Sequence, residues 1–337
     1  MKQRTLNIVI FAFLLMLGLV IACDRDGNNA EFIYSANKNG NNIDIYKITT
    51  KDGESNQLTT SEASDTNPKW SPDKSAIAFL SDRNGQNRSL YVMDPDGETE
   101  RSLFGGIGEI RRYSWGPDSK RIAIEVNGGG MKESIWIGVV EVSDGKITQL
   151  TTEDGDAFLG GWSPDGQWLA YSAVAGDESG IRRRNPTGVD EIILSIGDDI
   201  DARWSKNGQW IAFKRKSDDG STRLIVMDKD GEKETVVASG ISATNQHDWA
   251  PDSKHIIYVS ETSGNAEVYT TKHDGKDTEQ LTSNRVIDTS PMWNSKGSSI
   301  LFLSEGDGSY DVYSMQKNGE QQVRKTSISD LIIDIDW

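Results

Sequence analysis

Short apolar segments recur along the chain with a period of about 44 residues, and a tryptophan marks each period. Seven of the ten tryptophans occupy positions 70, 115, 162, 204, 249, 293 and 337. Segments rich in Gly, Asp, Asn and Ser separate the apolar runs, and no segment of useful length has helical periodicity. Short apolar runs bounded by such residues predict β-strands, because globular helices need longer periodic segments. The pattern therefore predicts an all-β chain built from repeats.

The repeat that contains Trp70 shows the predicted unit most clearly. Four strands are expected, at residues 65–70, 76–80, 90–93 and up to Leu103, with tight turns at 71–74 and 94–97. The turn after tryptophan recurs as Gly116-Pro-Asp-Ser, Ser163-Pro-Asp-Gly, Ser205-Lys-Asn-Gly, Ala250-Pro-Asp-Ser and Asn294-Ser-Lys-Gly. Proline presets φ in such turns, Asp or Asn bonds its own backbone, and Gly accepts the left-handed exit. Each copy therefore predicts a hairpin between a first and a second strand.

The second strands are continuous apolar runs. They recur as Ile122-Ala-Ile, Leu169-Ala-Tyr, Ile211-Ala-Phe, Ile256-Ile-Tyr and Ile300-Leu-Phe. Continuous apolar strands suit sheets that are covered on both faces. Four-stranded sheets that repeat at this period and pack face to face are the blades of a β-propeller. We therefore expect a propeller of four-stranded antiparallel blades over residues 31–337.

The two ends of the chain predict how the ring closes. Residues 31–34, 44–46 and 57–59 have the patterns of second, third and fourth strands without a first strand. The segment Leu331–Trp337 has the pattern of a first strand alone. Paired together, these segments make one composite blade, which brings the total to seven. We expect this closure because it removes the exposed edges of an open β-array.

Three motifs of the repeat resemble those of a known family. They are Trp-Ser-Pro-Asp at 70–73, Ile-Ala-Phe at 77–79 and Tyr-Val-Met-Asp-Pro-Asp-Gly at 91–97. Together they resemble the PD40 repeat of TolB-like β-propellers, and the resemblance covers nearly all of residues 31–337. WD40 repeats are similar in period, but their Gly-His and Trp-Asp signatures are not found. True TolB proteins place an α/β domain before a six-bladed propeller, whereas about eight residues of the expected mature chain precede the first strand here.

The first 23 residues have the pattern of a bacterial export signal. Lys2 and Arg4 precede an apolar run that is shorter than the roughly 20 residues of a membrane span. Val20-Ile-Ala-Cys23 resembles the lipobox of bacterial lipoproteins, which implies cleavage before Cys23 and acylation of its thiol. Several acyl chains on one cysteine anchor a protein durably. We expect a signal peptide at 1–22, a lipidated tether at 23–30 and a membrane-anchored protein on the periplasmic or extracytoplasmic face.

Charge and cysteine content exclude several classes of function. The chain has 52 acidic and 36 basic residues, a formal net charge of −16 at pH 7. Nucleic acids and anionic membrane surfaces are bound through Lys and Arg, so neither is expected as the main partner. The single cysteine excludes a disulfide framework and a zinc or iron–sulfur site built from cysteines. A monomer is expected.

Polar residues that precede the tryptophans are the candidate binding residues. First strands run beside the central channel of a propeller, and variable loops on a rigid scaffold usually carry recognition. The candidates at the upper channel mouth are Asp65, Arg112, Asp156, Asp199, Asp201, His247, Asp288 and Asp334. A ring of carboxylates would recruit a basic segment of an envelope protein, or hold a hard cation such as calcium. Alternatively, these aspartates only cap backbone groups of the loops.

Other polar motifs have structural as well as functional interpretations. Arg182-Arg-Arg184 replaces an apolar third strand and would either pair with nearby carboxylates or contact an anion or polysaccharide. The three histidines, His247, His255 and His273, lie on different elements of one unit, so they are not expected to converge on a metal. Turns such as Asp94–Gly97 lack the distal ligands of a calcium loop. Neither a metal site nor a cofactor is predicted.

Catalytic motifs are few. No Gly-x-Ser-x-Gly elbow occurs, and oligogalacturonate lyases, which have similar repeats, build a metal site from several histidines. We therefore expect a non-catalytic, protein-binding scaffold at the cell envelope rather than an enzyme. The alternative is a carbohydrate-binding or carbohydrate-active propeller that uses the channel-mouth carboxylates as acid and base.

Overall fold

Seven four-stranded antiparallel sheets follow one another along the chain. The computed structural model describes residues 31–337, except 38–39, 41, 50–54, 86, 130–133, 152–154, 175, 244–246, 307 and 327–330. The proposed leader, Cys23 and the tether lie outside these residues. One short 3₁₀ helix, Gly176–Glu178, interrupts the strands. None of the described residues forms a helix with the length and apolar character that a membrane span requires.

The strands are grouped here as blades 1 to 7. Blade 1 combines β1 (Glu31–Asn37), β2 (Asp44–Thr49) and β3 (Ser55–Gln57) with the C-terminal β28 (Leu331–Asp336). Blade 2 contains β4 (Asp65–Trp70), β5 (Ile77–Ser81), β6 (Ser89–Met93) and β7 (Arg101–Phe104). Blade 3 contains β8 (Glu109–Trp115), β9 (Arg121–Asn127), β10 (Ile135–Glu141) and β11 (Ile147–Gln149). Blade 4 contains β12 (Asp156–Trp162), β13 (Leu169–Val174), β14 (Gly180–Arg184) and β15 (Glu191–Ile193).

The remaining blades have the same order of strands. Blade 5 contains β16 (Asp199–Trp204), β17 (Trp210–Lys216), β18 (Thr222–Asp228) and β19 (Thr235–Ser239). Blade 6 contains β20 (Asp248–Trp249), β21 (His255–Ser260), β22 (Glu267–Lys272) and β23 (Glu279–Gln280). Blade 7 contains β24 (Asp288–Trp293), β25 (Ser299–Gly306), β26 (Ser309–Gln316) and β27 (Val323–Arg324). The predicted seven-bladed, all-β propeller is thereby confirmed.

Blade 1 closes the ring in the predicted way. The C-terminal strand β28 pairs with β1, so that Asp336 lies opposite Ile33 and Asp334 lies opposite Ser35. Because β1 also pairs with β2, the two ends of the chain share one sheet. The composite blade predicted from the sequence is therefore confirmed.

The core lies between neighbouring blades, because the second strands are buried on both faces. Every residue of β5 is buried, and one apolar cluster joins Ile33 of blade 1 to Trp70 and Phe79 of blade 2. Three tryptophans also connect blades through their indole N–H groups. The indoles of Trp115, Trp162 and Trp249 donate to the carbonyl oxygens of Lys69, Ser114 and Arg203 at 3.0, 3.1 and 3.0 Å.

The first strands are bulged beside the channel. The pairing register shifts within β4, β8, β12, β16 and β24, each time a few residues before the tryptophan. Asn67, Asp201 and Ser290 have left-handed backbone conformations there, with φ of 52°, 57° and 51°. A bulge inserts a residue and changes the direction of nearby side chains. It therefore decides which polar residues face the channel.

Candidate functional site

The first strands of the blades enclose a central cavity of about 460 Å³. Five cationic side chains and three carboxylates are among its lining residues. The cations are Lys69, Arg111, Arg112, Arg203 and Lys206, and the carboxylates are Asp248, Asp334 and Asp336. Cations thus outnumber carboxylates here, although the whole chain is strongly acidic.

The two signs of charge lie on different sides of the cavity. The cations come from blades 2, 3 and 5, and the carboxylates come from blades 6 and 1. Blade 4, between the two cationic groups, lines the cavity with Leu159 and Gly160 and has no charged side chain there. The channel wall is therefore a polar surface with a basic arc and an acidic arc.

A buried ion-pair cluster lies around Asp201. Its carboxylate is 3.2 Å from Arg203 Nε, 3.2 Å from Lys214 Nζ and 3.4 Å from His247 Nδ1. Burial alone raises the pKa of Asp201, but the neighbouring Arg203, His247 and Lys214 outweigh it and hold that pKa well below its usual range. Burial lowers the pKa of both Lys214 and His247. The cluster fixes Arg203 at the cavity wall.

Lys69 is held at the channel by backbone and aromatic contacts. Its Nζ donates to the carbonyl oxygen of Tyr113 at 3.0 Å and lies 5.1 Å from the centre of that ring. The Tyr113 hydroxyl in turn donates to the carbonyl oxygen of Ala78 at 2.8 Å. Burial, and next the positive charge of Arg203, lower the pKa of Lys69. An anion in the cavity would offset both effects.

The carboxylates of the acidic arc connect blade 1 to blade 2. Asp334 accepts hydrogen bonds from the backbone N–H of Asn67 at 3.3 Å and from its Nδ2 at 3.0 Å. Asp336 accepts a hydrogen bond from the backbone N–H of Trp70 at 2.8 Å. Burial raises the pKa of both carboxyl groups. These residues therefore contribute to ring closure as well as to the charge of the cavity.

The structure separates the eight candidate residues into two groups. Arg112, His247 and Asp334 line the cavity, and Asp201 lies directly behind Arg203. Asp65, Asp156, Asp199 and Asp288 are not among the lining residues. The cavity therefore brings together part of the candidate set, and the other four aspartates bond to nearby loops and strands.

These four aspartates have partners in nearby loops and strands. The carboxylate of Asp65 accepts hydrogen bonds from Arg83 Nη2 at 2.9 and 3.0 Å. The carboxylate of Asp199 accepts hydrogen bonds from Arg215 at 2.7 and 2.8 Å and from the Ser195 hydroxyl at 2.6 Å. Asp288 accepts from Asn284 Nδ2 at 2.8 Å, and Asp156 accepts from the N–H of Ile135 at 2.9 Å. Burial raises the pKa of Asp288. Of the four, Asp156 caps a backbone N–H as the loop-capping interpretation expects, whereas the other three accept these hydrogen bonds from side chains.

Several lining residues were not identified from the sequence. Lys69, Arg203, Asp248 and Asp336 each lie directly before a repeat tryptophan. That shared position was a usable signal, because it recurs with the period of the repeat. Arg111 and Lys206 have no such signal, since one lies at a bulge and the other in a turn.

The arginine run pairs with carboxylates, as the structural interpretation predicts. Arg182 Nη1 and Arg184 Nε lie 2.8 and 2.9 Å from Glu191. Arg183 lies over the ring of Trp168, 4.7 Å from its centre, and 3.2 Å from Asp230. The other two histidines also have local partners: His255 lies 2.6 Å from Asp252, and His273 packs against Trp210 with ring centres 4.9 Å apart and the rings tilted by 51°.

Comparison with known proteins identifies related folds. The model of a family described as the TolB beta propeller domain, PD40, matches residues 200–333. The uncharacterised peptidase YuxL of Bacillus subtilis (strain 168) is 29% identical over 184 residues, which are 44% of this chain and 28% of that protein. The chain therefore matches less than a third of that relative's length.

Two solved structures share the fold at low identity. TolB from Acinetobacter baumannii is 17% identical with a TM-score of 0.59, covering 76% of this chain and 64% of that one. An oligogalacturonate lyase in complex with manganese is 13% identical with a TM-score of 0.66, covering 82% of this chain and 83% of that one. The prediction that the chain is not an enzyme is wrong, because a sequence relative of the chain is named a peptidase.

Proposed function

Because the chain is a TolB-like β-propeller built from PD40 repeats, we propose that it binds a peptide segment of an envelope protein in its central channel. The observation that carries the proposal is the cavity of about 460 Å³ with a basic and an acidic arc. That volume is in the range of ligand sites, which span roughly 300–1,000 Å³.

The distribution of charge supports a peptide that carries both signs. Its acidic groups would face Lys69, Arg112 and Arg203, and its basic groups would face Asp248 and Asp336. A basic partner was expected from carboxylates at the channel mouth. Several of these carboxylates already form ion pairs with arginines of their own blades, so they do not support a purely basic partner.

Site-specific photo-crosslinking tests the proposal. A benzophenone amino acid at Met292, which lines the cavity, should crosslink to one peptide segment of an envelope protein, identified by mass spectrometry. The matched control places the same amino acid at Val189, which is 81% exposed and outside the cavity. Crosslinks to the same segments from both positions, or none from Met292, would contradict binding in the channel.

The lyase relative favours a second candidate, binding or cleavage of an acidic carbohydrate. Cations of the basic arc would hold uronate carboxylates, and carboxylates such as Asp336 would take part in proton transfer. The test is incubation with trigalacturonate and manganese, followed by the ultraviolet absorbance of an unsaturated product. Turnover by the wild type that is lost in Asp336→Asn would favour this candidate over peptide binding.

We also propose that the protein is exported and anchored through Cys23. The lipobox-like residues Val20–Cys23 support the anchor, and the TolB-like relatives support export. Cys23→Ser should abolish incorporation of a palmitate analogue and release the protein from the membrane fraction. Labelling that persists in the serine variant would contradict the anchor.

A further inference from the structure

Blade 4 has a glycine beside the channel where blades 2 and 5 have a long cationic side chain. Gly161 pairs with Ala170, in the register position that Lys69 occupies opposite Ala78 and Arg203 occupies opposite Ala212. A Cβ atom added to Gly161 would have one neighbour within 4 Å, the carbonyl oxygen of Ala202 at 3.8 Å. Gly161 is therefore not required by close packing, and its missing side chain leaves space beside the cavity.

Cations flank this space from both sides. Blade 3 contributes Arg111 and Arg112 to the cavity wall, and blade 5 contributes Arg203 and Lys206. We call the space over Gly161, next to the lining residue Gly160 and between these two pairs of cations, the blade-4 recess.

Two arginines of these pairs, Arg112 and Arg203, have N–H groups that bond to no described residue. Arg112 is exposed and makes no hydrogen bond to a described residue, although its charge acts on the carboxyl group of Glu125. Arg203 uses Nε to contact Asp201 at 3.2 Å, and neither of its Nη atoms bonds to a described residue. A guanidinium with free N–H groups is the group that best recognises a carboxylate.

The positive charges around the recess also repel one another. Besides burial, the charge of Arg203 and then that of Arg112 lower the pKa values of Lys69 and Lys214. Glu125, 3.9 Å from Arg111, is the nearest compensating carboxylate on blade 3, and it is itself buried. A bound anion would relieve this repulsion and gain charge-assisted hydrogen bonds.

We infer that the blade-4 recess binds a carboxylate group of an acidic residue in a peptide that occupies the channel. The inference rests on the proposed peptide-binding function and specifies the chemistry of its ligand. A polyuronate presents negative charge along its whole length, so Asp248, Asp334 and Asp336 on the opposite wall would repel it. A peptide can place an acidic residue in the recess and a neutral or basic group against those carboxylates.

Binding of the tetrapeptide Ala-Glu-Glu-Lys to the intact propeller tests this inference. Trp293 and Trp337 line the cavity, so intrinsic fluorescence at low ionic strength reports binding, and calorimetry gives the affinity. We expect saturable binding that weakens with added salt. The isosteric Ala-Gln-Gln-Lys should bind at least tenfold more weakly, since it retains shape but has no side-chain carboxylate.

Three variants separate recess binding from general attraction. Arg112→Gln removes a cation that makes no hydrogen bond to a described residue, and Gly161→Val fills the recess while retaining every charge. Each should weaken binding of the Glu peptide about tenfold and leave the Gln peptide unchanged. Lys276→Gln, at an exposed turn, is the matched charge control and should bind like the wild type. Unchanged melting temperatures confirm that each variant is folded.

The outcomes distinguish the inference from the proposed function. Equal binding of the Glu and Gln peptides, or wild-type affinity in both Arg112→Gln and Gly161→Val, would overturn the carboxylate recess. Photo-crosslinking from Met292 would still detect a channel-bound segment in that case. Trigalacturonate that binds more tightly than the Glu peptide would overturn the choice of a peptide ligand.

Discussion

Asp334 accepts two hydrogen bonds from Asn67, one from its backbone N–H at 3.3 Å and one from its side-chain amide at 3.0 Å, although the residues are 267 positions apart. Asn67 has a left-handed backbone with φ of 52°, a conformation that asparagine tolerates better than most residues. The bulge of β4 thus presents both donors to the C-terminal strand. The contact joins blade 2 to blade 1 at the channel wall.

Deletion of residues 331–337 should destabilise the whole ring. It removes β28, leaves β1 without its inner partner and uncovers apolar residues such as Phe32, which stacks on Trp337. An unpaired edge and exposed apolar faces promote aggregation. We expect a melting temperature at least 10 °C lower, or aggregation on expression, measured by differential scanning calorimetry. Melting like that of the full chain would show that β28 does not close the ring.

The closure could be predicted because strand order follows from the period of tryptophan and the apolar second strands. The channel wall could not be predicted as well, because it depends on bulges. The register shift between Thr66 and Lys69 does not follow from the alternation of apolar and polar residues along the strand. The partners of Asp65 and Asp199 did have a sequence signal, since Arg83 follows the end of the next strand by two residues and Arg215 lies near the end of its strand.

Asp199 should be a stability residue rather than a recognition residue. Its fully buried carboxylate accepts hydrogen bonds from the side chains of Arg215 and Ser195. Replacement by Asn removes one partner of this ion pair, but Arg215 is 26% exposed and keeps Glu234 at 2.8 Å, so we expect a loss of about 1–2 kcal/mol, between the values for exposed and for buried pairs. Chemical denaturation of Asp199→Asn measures the loss. Asp198→Asn, at the exposed neighbouring position, is the control and should change stability by less than about 0.5 kcal/mol.

Equal stabilities of the two asparagine variants would contradict this assignment. Peptide binding in the channel should survive Asp199→Asn in protein that remains folded, because Asp199 does not line the cavity.

Lys214 and Asp201 should be strongly coupled. Lys214 is 2% exposed and occupies the position on the second strand that Leu80 occupies in blade 2. Lys214→Leu alone removes one of the positive charges that stabilise the buried carboxylate of Asp201. Asp201→Asn alone leaves the buried ammonium of Lys214 without the carboxylate that pairs with it. Each single change should cost about 3 kcal/mol, whereas the double variant should lose much less than the sum. Asparagine also tolerates the φ of 57° at position 201.

A double-mutant cycle from urea denaturation measures this coupling. Additive losses would show that Arg203 and His247 alone compensate the charge of Asp201. The matched cycle uses Lys276 and Asp274, an exposed pair at 3.0 Å, for which we expect coupling of at most about 1 kcal/mol.

The buried carboxyl group of Glu125 should make stability decrease as pH rises. Burial raises its pKa above the ordinary value of 4.5, although the N–H of Leu159 donates to Oε2 at 2.8 Å. Between the unfolded and folded pKa values the native state binds more protons than the unfolded state, so the group's contribution is full below about pH 4.5 and is lost as pH rises. Glutamine does not titrate, so Glu125→Gln should gain stability relative to the wild type between pH 4.5 and pH 7.5.

Urea denaturation at both pH values tests the sign of this change, and Glu98→Gln, at an exposed turn, controls for the loss of one negative charge. A relative stability of Glu125→Gln that decreases with pH would mean that Arg111 and Arg112 outweigh burial, and Glu125 would then contribute a fixed negative charge behind the basic arc.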